Sequence, residues 1–172
     1  MRLTLGIAAL AATMAVASPA FAQTVTANAQ AEARGVVLLP LTLTKTSDLD
    51  FGTVIADQLA AGTVSIDADT GARSVTGAVL GVPGYPGSRG LFQGAGTALQ
   101  VVNLTLNAPT VLTSGPNTIN VLAFDVDQGG LLARTIDATT AFEVGVGGTF
   151  EITAAQPNGL YTAQFDLTAE YQ

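Results

Sequence analysis

The residues with the clearest chemical potential are three pairs of aspartates, each pair two positions apart. They are Asp48/Asp50, Asp67/Asp69 and Asp125/Asp127. Residues i and i+2 of a strand lie on one face, so each pair can point at one cation or one substrate. Calcium, however, takes about six to eight oxygen ligands, and glycoside hydrolysis needs two carboxylates roughly 5–10 Å apart across a cleft. We therefore expect these aspartates to be solvated or to cap backbone amides in turns.

The composition excludes several classes of function. The 172-residue chain has no Cys, no His and no Trp, which removes thiolate metal sites, cysteine nucleophiles and His-based triads. Lys45, the only lysine, lies in a Thr-, Ser- and Asp-rich stretch, where a solvated charge is expected. The net charge of −7 argues against nucleic acid as a partner. We expect no enzyme activity, no cofactor and no metal site.

One loop offers an alternative function. Gly81–Gly90 is the longest irregular stretch and is rich in Gly and Pro. Within it, Tyr85 and Arg89 are candidate contacts to a partner. Loops of this kind more often simply connect strands, although some bind ligands. A secreted module that binds a glycan or calcium through its loops therefore remains the alternative.

The N-terminus has the layout of a secretory signal peptide. Met1-Arg2 is positively charged, Leu3–Val16 is apolar, and Ala20-Phe21-Ala22 has the small-x-small pattern of a cleavage site. The apolar run is too short to span a bilayer, so no stable membrane insertion is expected. We predict a signal peptide at 1–22 and an exported protein of the periplasm, the cell surface or the medium of a gram-negative bacterium.

Apolar and polar residues alternate along most of the remaining chain, which predicts strands. The clearest case is the last segment, where one face carries Tyr161, Ala163, Phe165, Leu167, Ala169 and Tyr171. This strict alternation over Tyr161–Tyr171 indicates a half-buried strand. Other predicted strands are Thr24–Ala33, Val36–Thr44, Leu49–Val54, Thr63–Asp67, Arg73–Leu80, Leu99–Asn107, Thr118–Asp127, Leu131–Asp137, Ala141–Val146 and Thr149–Ala154.

Gly, Pro, Asn and Asp separate these strands. Gly147-Gly148 is predicted to be a turn, Pro40 to mark an edge strand or a bulge, and Asp57–Ala61 to be a loop or a single helical turn. Short strands at regular spacing favour a sandwich or a barrel. We predict one domain at 23–172, an all-β, Ig-like antiparallel β-sandwich of about 8–11 short strands.

Segments at both ends of the chain resemble a bacterial secreted family, domain of unknown function 4402. The opening segment is Leu41–Val54, which contains the run Asp48-Leu49-Asp50-Phe51-Gly52. The closing segments are Val146–Thr149 and Gln156–Gln172. The resemblance implies no catalysis. In structural terms, Gly52 and Gly159 serve turns, while Phe51, Tyr161, Phe165 and Tyr171 fill a core.

More loosely, the two ends resemble pilin subunits of chaperone–usher fibres. Such subunits carry an N-terminal donor strand for a neighbour and end in an alternating strand with a penultimate tyrosine. The resemblance implies a pilin-like sandwich with a donor segment at 23–35, whose inward residues are Val25, Ala27, Ala29, Ala31 and Ala33. It also implies a terminal-strand interface at Tyr161, Phe165 and Tyr171. The usual pilin disulfide is absent.

Alternation does not specify whose sheet a strand joins. The segment 23–35 therefore pairs either within its own sandwich, as an edge strand, or with a copy of the chain or a related subunit. The expected function is an exported, non-enzymatic structural protein of the cell surface. A fimbrial-type subunit that assembles by strand addition is the most specific form of this expectation.

Overall fold

The computed structural model describes residues 26–172, so the predicted signal peptide and Val25 lie outside the described residues. The chain divides into two units, the first ending at Gly35. Residues 26–35 of this first unit contain no strand or helix, and every side chain there is exposed. The prediction of a strand at Thr24–Ala33 is thus wrong for its described part in the single chain. Its alanines bury too little apolar area to offset the entropy of ordering a strand.

The second unit, residues 36–172, is an all-β sandwich, which confirms the predicted fold class. Its strands are β1 (Thr42–Ser47), β2 (Val54–Ile55), β3 (Gly62–Ile66), β4 (Arg73–Gly77), β5 (Leu80–Gly81), β6 (Gly90–Ala95), β7 (Val101–Asn107), β8 (Val111–Ser114), β9 (Asn117–Val126), β10 (Ala133–Thr135), β11 (Ala141–Ile152) and β12 (Asp166–Tyr171). All pairings between them are antiparallel. Within residues 26–172, no helix is long and apolar enough to cross a membrane.

The strands form two main sheets. The large sheet has the order β1-β6-β11-β3-β4, and β9 joins the other edge of β11 and carries β8. The small sheet has the order β10-β7-β12. A two-stranded ladder of β2 and β5 stands apart from both. The inner faces of the large and small sheets share one apolar core, so the two sheets are the layers of the sandwich.

The first core lies between the two main sheets. Phe92, Val144 and Val146 of the large sheet pack there with Val102 and Leu104 of the small sheet. A second core lies at the other end of the large sheet. It is built from β3, β8, β9 and the end of β11, and the residues before and within β2 cover it, together with Tyr161. The long strand β11 contributes to both cores and therefore connects them.

The two glycines in the middle of β11 contradict the predicted turn. Gly147-Gly148 lies inside the strand, which continues unbroken from Ala141 to Ile152. A Cβ on Gly147 would lie 2.3 Å from the carbonyl oxygen of Ile66, so only glycine permits this packing. Here glycine marks a close approach of two backbones rather than a turn.

The predicted strand Leu49–Val54 is also mostly wrong. Only its last residue belongs to a strand, β2, and Asp50 forms an isolated bridge to Ser88. The chain turns at Gly52, whose φ of +73° favours glycine. The Asp50 carboxylate accepts a hydrogen bond from the Gly52 N–H at 2.8 Å and holds this turn. Asp57–Ala61, predicted to be either a loop or a single helical turn, is a loop.

The strands predicted around Pro40 and Gly77 differ in their bounds from those in the structure. The predicted strand Val36–Thr44 is wrong over residues 36–41, which belong to no strand, so Pro40 lies before the strand rather than in it. Strand β1 begins at Thr42 and, among the described strands, pairs only with β6, so it is an edge strand. Its register shifts between Lys45 and Ser47, where a β-bulge forms. The predicted strand Arg73–Leu80 breaks at Gly77 into β4 and the start of β5. Strands β6 and β8 lie in the middle of the chain and had no predicted counterpart.

Asp127 is buried, contrary to the expectation that the paired aspartates are solvated or cap amides. Its carboxylate binds the guanidinium of Arg134 at 2.5 Å, and the two side chains are 12% and 3% exposed. Arg134 also donates to the main-chain oxygens of Asp127 and Leu131. These contacts hold the turn Asp127–Gly130, in which Gln128 and Gly129 have left-handed backbone angles.

Replacing Asp127 by Asn should lower the free energy of unfolding by about 3–5 kcal/mol, because it leaves the Arg134 charge buried without its counterion. Denaturant unfolding of the purified chain measures this loss. The matched control is Asp48→Asn, which removes the exposed pair between Lys45 and Asp48 and should cost about 0–1 kcal/mol. Equal losses in the two variants would contradict the structural role assigned to the buried pair.

Candidate functional site: the free edge of the C-terminal strand

The aspartates singled out by the sequence serve mainly as structural groups. The Asp67 carboxylate accepts hydrogen bonds of 2.7 Å from both the hydroxyl and the N–H of Thr70. These hydrogen bonds, the hydroxyl one first, hold the pKa of Asp67 below its usual value. Asp69 accepts from the Gln128 N–H at 2.7 Å, and Asp48 pairs with Lys45. Among residues 26–172, no three acidic side chains gather as metal ligands would.

The long loop Gly81–Gly90 is tied to the rest of the domain. The Arg73 guanidinium donates to the carbonyl oxygens of Tyr85 (2.8 Å), Val82 (3.0 Å) and Thr53 (3.0 Å). Arg89 donates to two main-chain oxygens of the β3–β4 turn and is therefore engaged by its own chain. The Tyr85 ring stays 67% exposed. The structure thus gives this loop a positioning network rather than a convergent binding site.

The predicted terminal-strand residues separate into two groups. Phe165 packs in the first core, with ring centroids 5.9 Å from Phe92 and 5.4 Å from Phe124. Tyr171 lies at the end of β12 and packs against the same core. Tyr161 belongs to the second core, where its hydroxyl donates to the carbonyl oxygen of Pro157 at 2.7 Å. The strand itself begins at Asp166, so Tyr161 does not share an interface with Phe165 and Tyr171.

Strand β12 has one free edge. It pairs with β7 on one side, and no strand among the described residues pairs with its other side. The Gln172 N–H donates to the Val101 carbonyl oxygen at 3.0 Å, which sets the alternation of the ladder. The even-numbered residues of β12 bond to β7, so the N–H and C=O groups of Leu167, Ala169 and Tyr171 point to the free edge.

The side chains of these same residues face the core. Leu167, Ala169 and Tyr171 pack against the first core, yet each is only half-buried. The free edge of β12 thus exposes backbone hydrogen-bonding groups and the flank of an apolar core together. Strand β1, which is the edge of the large sheet, lies beside β12, with Cα atoms within 8 Å. Its inward residue Leu43 is half-buried in the same way.

The Tyr171 hydroxyl fixes the start of the folded domain at the end of this edge. It donates to the Leu39 carbonyl oxygen at 2.8 Å and accepts from the Thr97 N–H at 2.7 Å. The Leu39 N–H donates in turn to the Thr97 hydroxyl at 2.7 Å. Gly96 makes room for this arrangement, because a Cβ there would lie 2.4 Å from the Tyr171 hydroxyl oxygen. We call these contacts among Leu39, Thr97 and Tyr171 the tyrosine clamp.

Apolar residues next to the clamp stand in solvent. Val36 and Val37 are 85% and 96% exposed, and Leu39 is 56% exposed. Consecutive exposed apolar residues are unfavourable unless another surface covers them. The residues just before the clamp therefore form a short apolar run that is uncovered in the single chain. Tyr171 was a candidate because of its place in the terminal strand, but no sequence pattern pointed to Thr97 or to the Leu39 backbone.

Replacing Tyr171 by Phe should lower the free energy of unfolding by about 1–2 kcal/mol, because the ring still packs while both hydroxyl hydrogen bonds are lost. Urea unfolding measures the change. The control Tyr85→Phe alters an exposed tyrosine and should shift stability by less than about 0.5 kcal/mol. If Tyr171→Phe were as neutral as this control, the hydroxyl would not hold the clamp.

A comparison with protein families gives one match that spans most of the chain. The model for a domain of unknown function (DUF4402) matches residues 41–171, from the residue before β1 to the last residue of β12. Comparisons with curated proteins and with solved structures gave no match. The matched range covers the whole sandwich and excludes the segment before the clamp. The chain therefore belongs to the family of domain of unknown function DUF4402.

Proposed function

We propose that this chain is an exported, non-enzymatic structural protein of the bacterial surface, whose copies or related subunits assemble by strand addition. The observation that carries the proposal is the free edge of β12. That edge presents the backbone groups of Leu167, Ala169 and Tyr171 beside half-buried apolar side chains. Edge strands of this kind accept an extended segment, whose main chain supplies affinity and whose alternate side chains supply specificity.

The donor in this proposal is the segment at 23–35, which gives the protein a pilin-like manner of assembly. From Val25 to Gly35 its odd-numbered residues are apolar and mostly small, and from Thr24 to Arg34 its even-numbered residues are polar. Residues 26–35 are exposed and belong to no strand, so they are available for pairing. Small side chains suit an edge whose inward residues are already half-buried and leave shallow space.

Pairing would satisfy backbone hydrogen-bonding groups of both the donor segment and β12. The donor would gain a backbone partner for each alternate N–H and C=O group, and β12 would lose its free edge. The small sheet would grow from three strands to four, which would cover the exposed flanks of Leu167 and Ala169. The signal-peptide layout of residues 1–22 supports export, and the many pairings between distant strands suit a structural role.

Three aspartates on the inward face of the donor should abolish assembly. In a chain that begins at Gln23, the variant Ala29→Asp/Ala31→Asp/Ala33→Asp places carboxylates where the strand meets the apolar edge. Burying an unpaired charge costs several kcal/mol, so the self-association constant should fall at least about 100-fold. Sedimentation velocity over a range of concentrations measures the assembled fraction.

The matched control is Thr26→Asp/Asn28→Asp/Gln30→Asp, which adds the same charge to the solvent face of the same segment. It should assemble to within about threefold of the parent chain, because its new charges stay hydrated. Removal of residues 23–35 should leave a folded monomer. A parent chain that stays monomeric, or assembly that survives this removal, would refute strand addition by this segment.

A further inference from the structure

We propose that Asn158 is a site of covalent modification, at which the side-chain amide is lost through attack by the backbone nitrogen of Gly159. The products are ammonia and a chain with aspartate or isoaspartate at position 158. The site lies in the loop between β11 and β12. It is separate from the free edge of β12 and from the segment at 23–35, so it extends beyond the proposed function.

The sequence places one glycine directly after an asparagine. Only Asn158 is followed by glycine, whereas each other asparagine precedes a residue with a side chain. A side chain on the following residue crowds the backbone nitrogen that must attack. Glycine leaves this nitrogen open and gives the backbone the freedom that ring closure needs. The other asparagines are Asn28, Asn103, Asn107, Asn117 and Asn120.

The structure leaves both reacting groups accessible. Asn158 and Gly159 are exposed and belong to no strand or helix. In the described part of the chain, neither the Asn158 side chain nor the Gly159 N–H has a hydrogen-bond partner. Asn103 and Asn120, by contrast, lie in β7 and β9, whose ladders fix their backbone. An exposed, irregular backbone can bring the Gly159 nitrogen to Cγ of Asn158, and a strand must first open to do so.

The packing of the loop favours the glycine that makes Asn158 reactive. A Cβ on Gly159 would lie 2.4 Å from the hydroxyl oxygen of Ser114 and 3.3 Å from its Cβ. Ser114 is the last residue of β8, so the loop passes close to the end of that strand. Any other residue at position 159 would force the Ser114 side chain or the loop to move. The close approach to β8 therefore keeps beside Asn158 the residue that hinders the attack least.

The reaction balances with water as the only co-reactant. The Gly159 nitrogen bonds to Cγ of Asn158, the bond from Cγ to the side-chain nitrogen breaks, and ammonia leaves with the proton of the Gly159 N–H. The resulting succinimide ring closes within one chain, so no second molecule has to be oriented for this step. Water then opens the ring. Opening at the side-chain carbonyl gives aspartate, and opening at the backbone carbonyl gives isoaspartate.

The products change the charge and the geometry of the loop. Each adds a carboxylate to a chain that is already acidic. Isoaspartate also adds one atom to the main chain between Pro157 and Tyr161. A hydrogen bond of 2.7 Å from the Tyr161 hydroxyl to the Pro157 carbonyl oxygen spans this stretch. The longer main chain should weaken this bond and loosen Tyr161, which packs against the second core.

Incubation of the purified chain that begins at Gln23, in mildly alkaline buffer, tests the site. Alkali speeds the attack because it favours removal of the proton from the attacking nitrogen. Peptide mapping by mass spectrometry should show conversion at Asn158 before any other asparagine. An isoaspartate methyltransferase, which labels isoaspartate but not aspartate, should label the same peptide. Loss of about one hydrogen bond should lower the melting temperature of the isoaspartate form by about 2–4 °C.

Asn28 is the internal control, because it is equally exposed and outside any strand but is followed by alanine. The variant Asn158→Gln keeps an amide but would need a larger ring, so it should stop the reaction at position 158. The matched variant Asn103→Gln alters an exposed asparagine of β7 and should leave the rate at Asn158 unchanged. Circular dichroism shows that both variants are folded. An amide at Asn158 that survives the incubation, or conversion of Asn28 at the same rate, would overturn the proposal.

Discussion

The structure depends on how backbone hydrogen-bonding groups find partners at the edges of two sheets. Inside the sandwich the long strand β11 solves this problem by pairing with β6 and β3 along one side and with β9 along the other. Strand β12 is paired on one side only. Its even-numbered residues form backbone hydrogen bonds with β7, and the N–H and C=O groups on its other side have no strand partner among the described residues. An unpaired edge beside an apolar core is a surface on which a further strand can pair.

The tyrosine clamp connects one end of this edge to the start of the folded domain. Because the Tyr171 hydroxyl holds the Leu39 backbone, the N-terminal segment is anchored where β12 ends. The exposed run at Val36 and Val37 begins at the same place. The hydrogen bonds of the clamp therefore hold the start of the second unit beside the end of β12.

Much of the fold could be predicted from alternation alone. β7, β9 and β12 follow the alternation, since each presents one apolar face to a core and one polar face to solvent. Alternation failed where glycine was the structural residue. Gly147-Gly148 looked like a turn but permits a close backbone approach within β11. β6 was missed because its glycines resemble a loop, although a Cβ at Gly94 would collide with the Phe142 ring.

The candidate site was predictable only in part. The half-buried character of the last strand followed from its strict alternation, but its start at Asp166 and its single partner did not. The clamp joins Tyr171 to Thr97 and Leu39, which are 74 and 132 positions away. No local pattern encodes contacts over such separations. The prediction for Asp127 was wrong because no local pattern shows that a turn brings its carboxylate to the guanidinium of Arg134.

Amide hydrogen exchange on β12 tests the central claim most directly, since it reports whether the free edge gains a partner. In the monomer, the amides of Leu167, Ala169 and Tyr171 should exchange quickly, while those of Thr168 and Glu170, bonded to β7, should be protected. On assembly, the first three amides should become protected and the other two should change little. If Leu167, Ala169 and Tyr171 stayed unprotected in the assembled protein, the free edge of β12 would not be the site of strand addition.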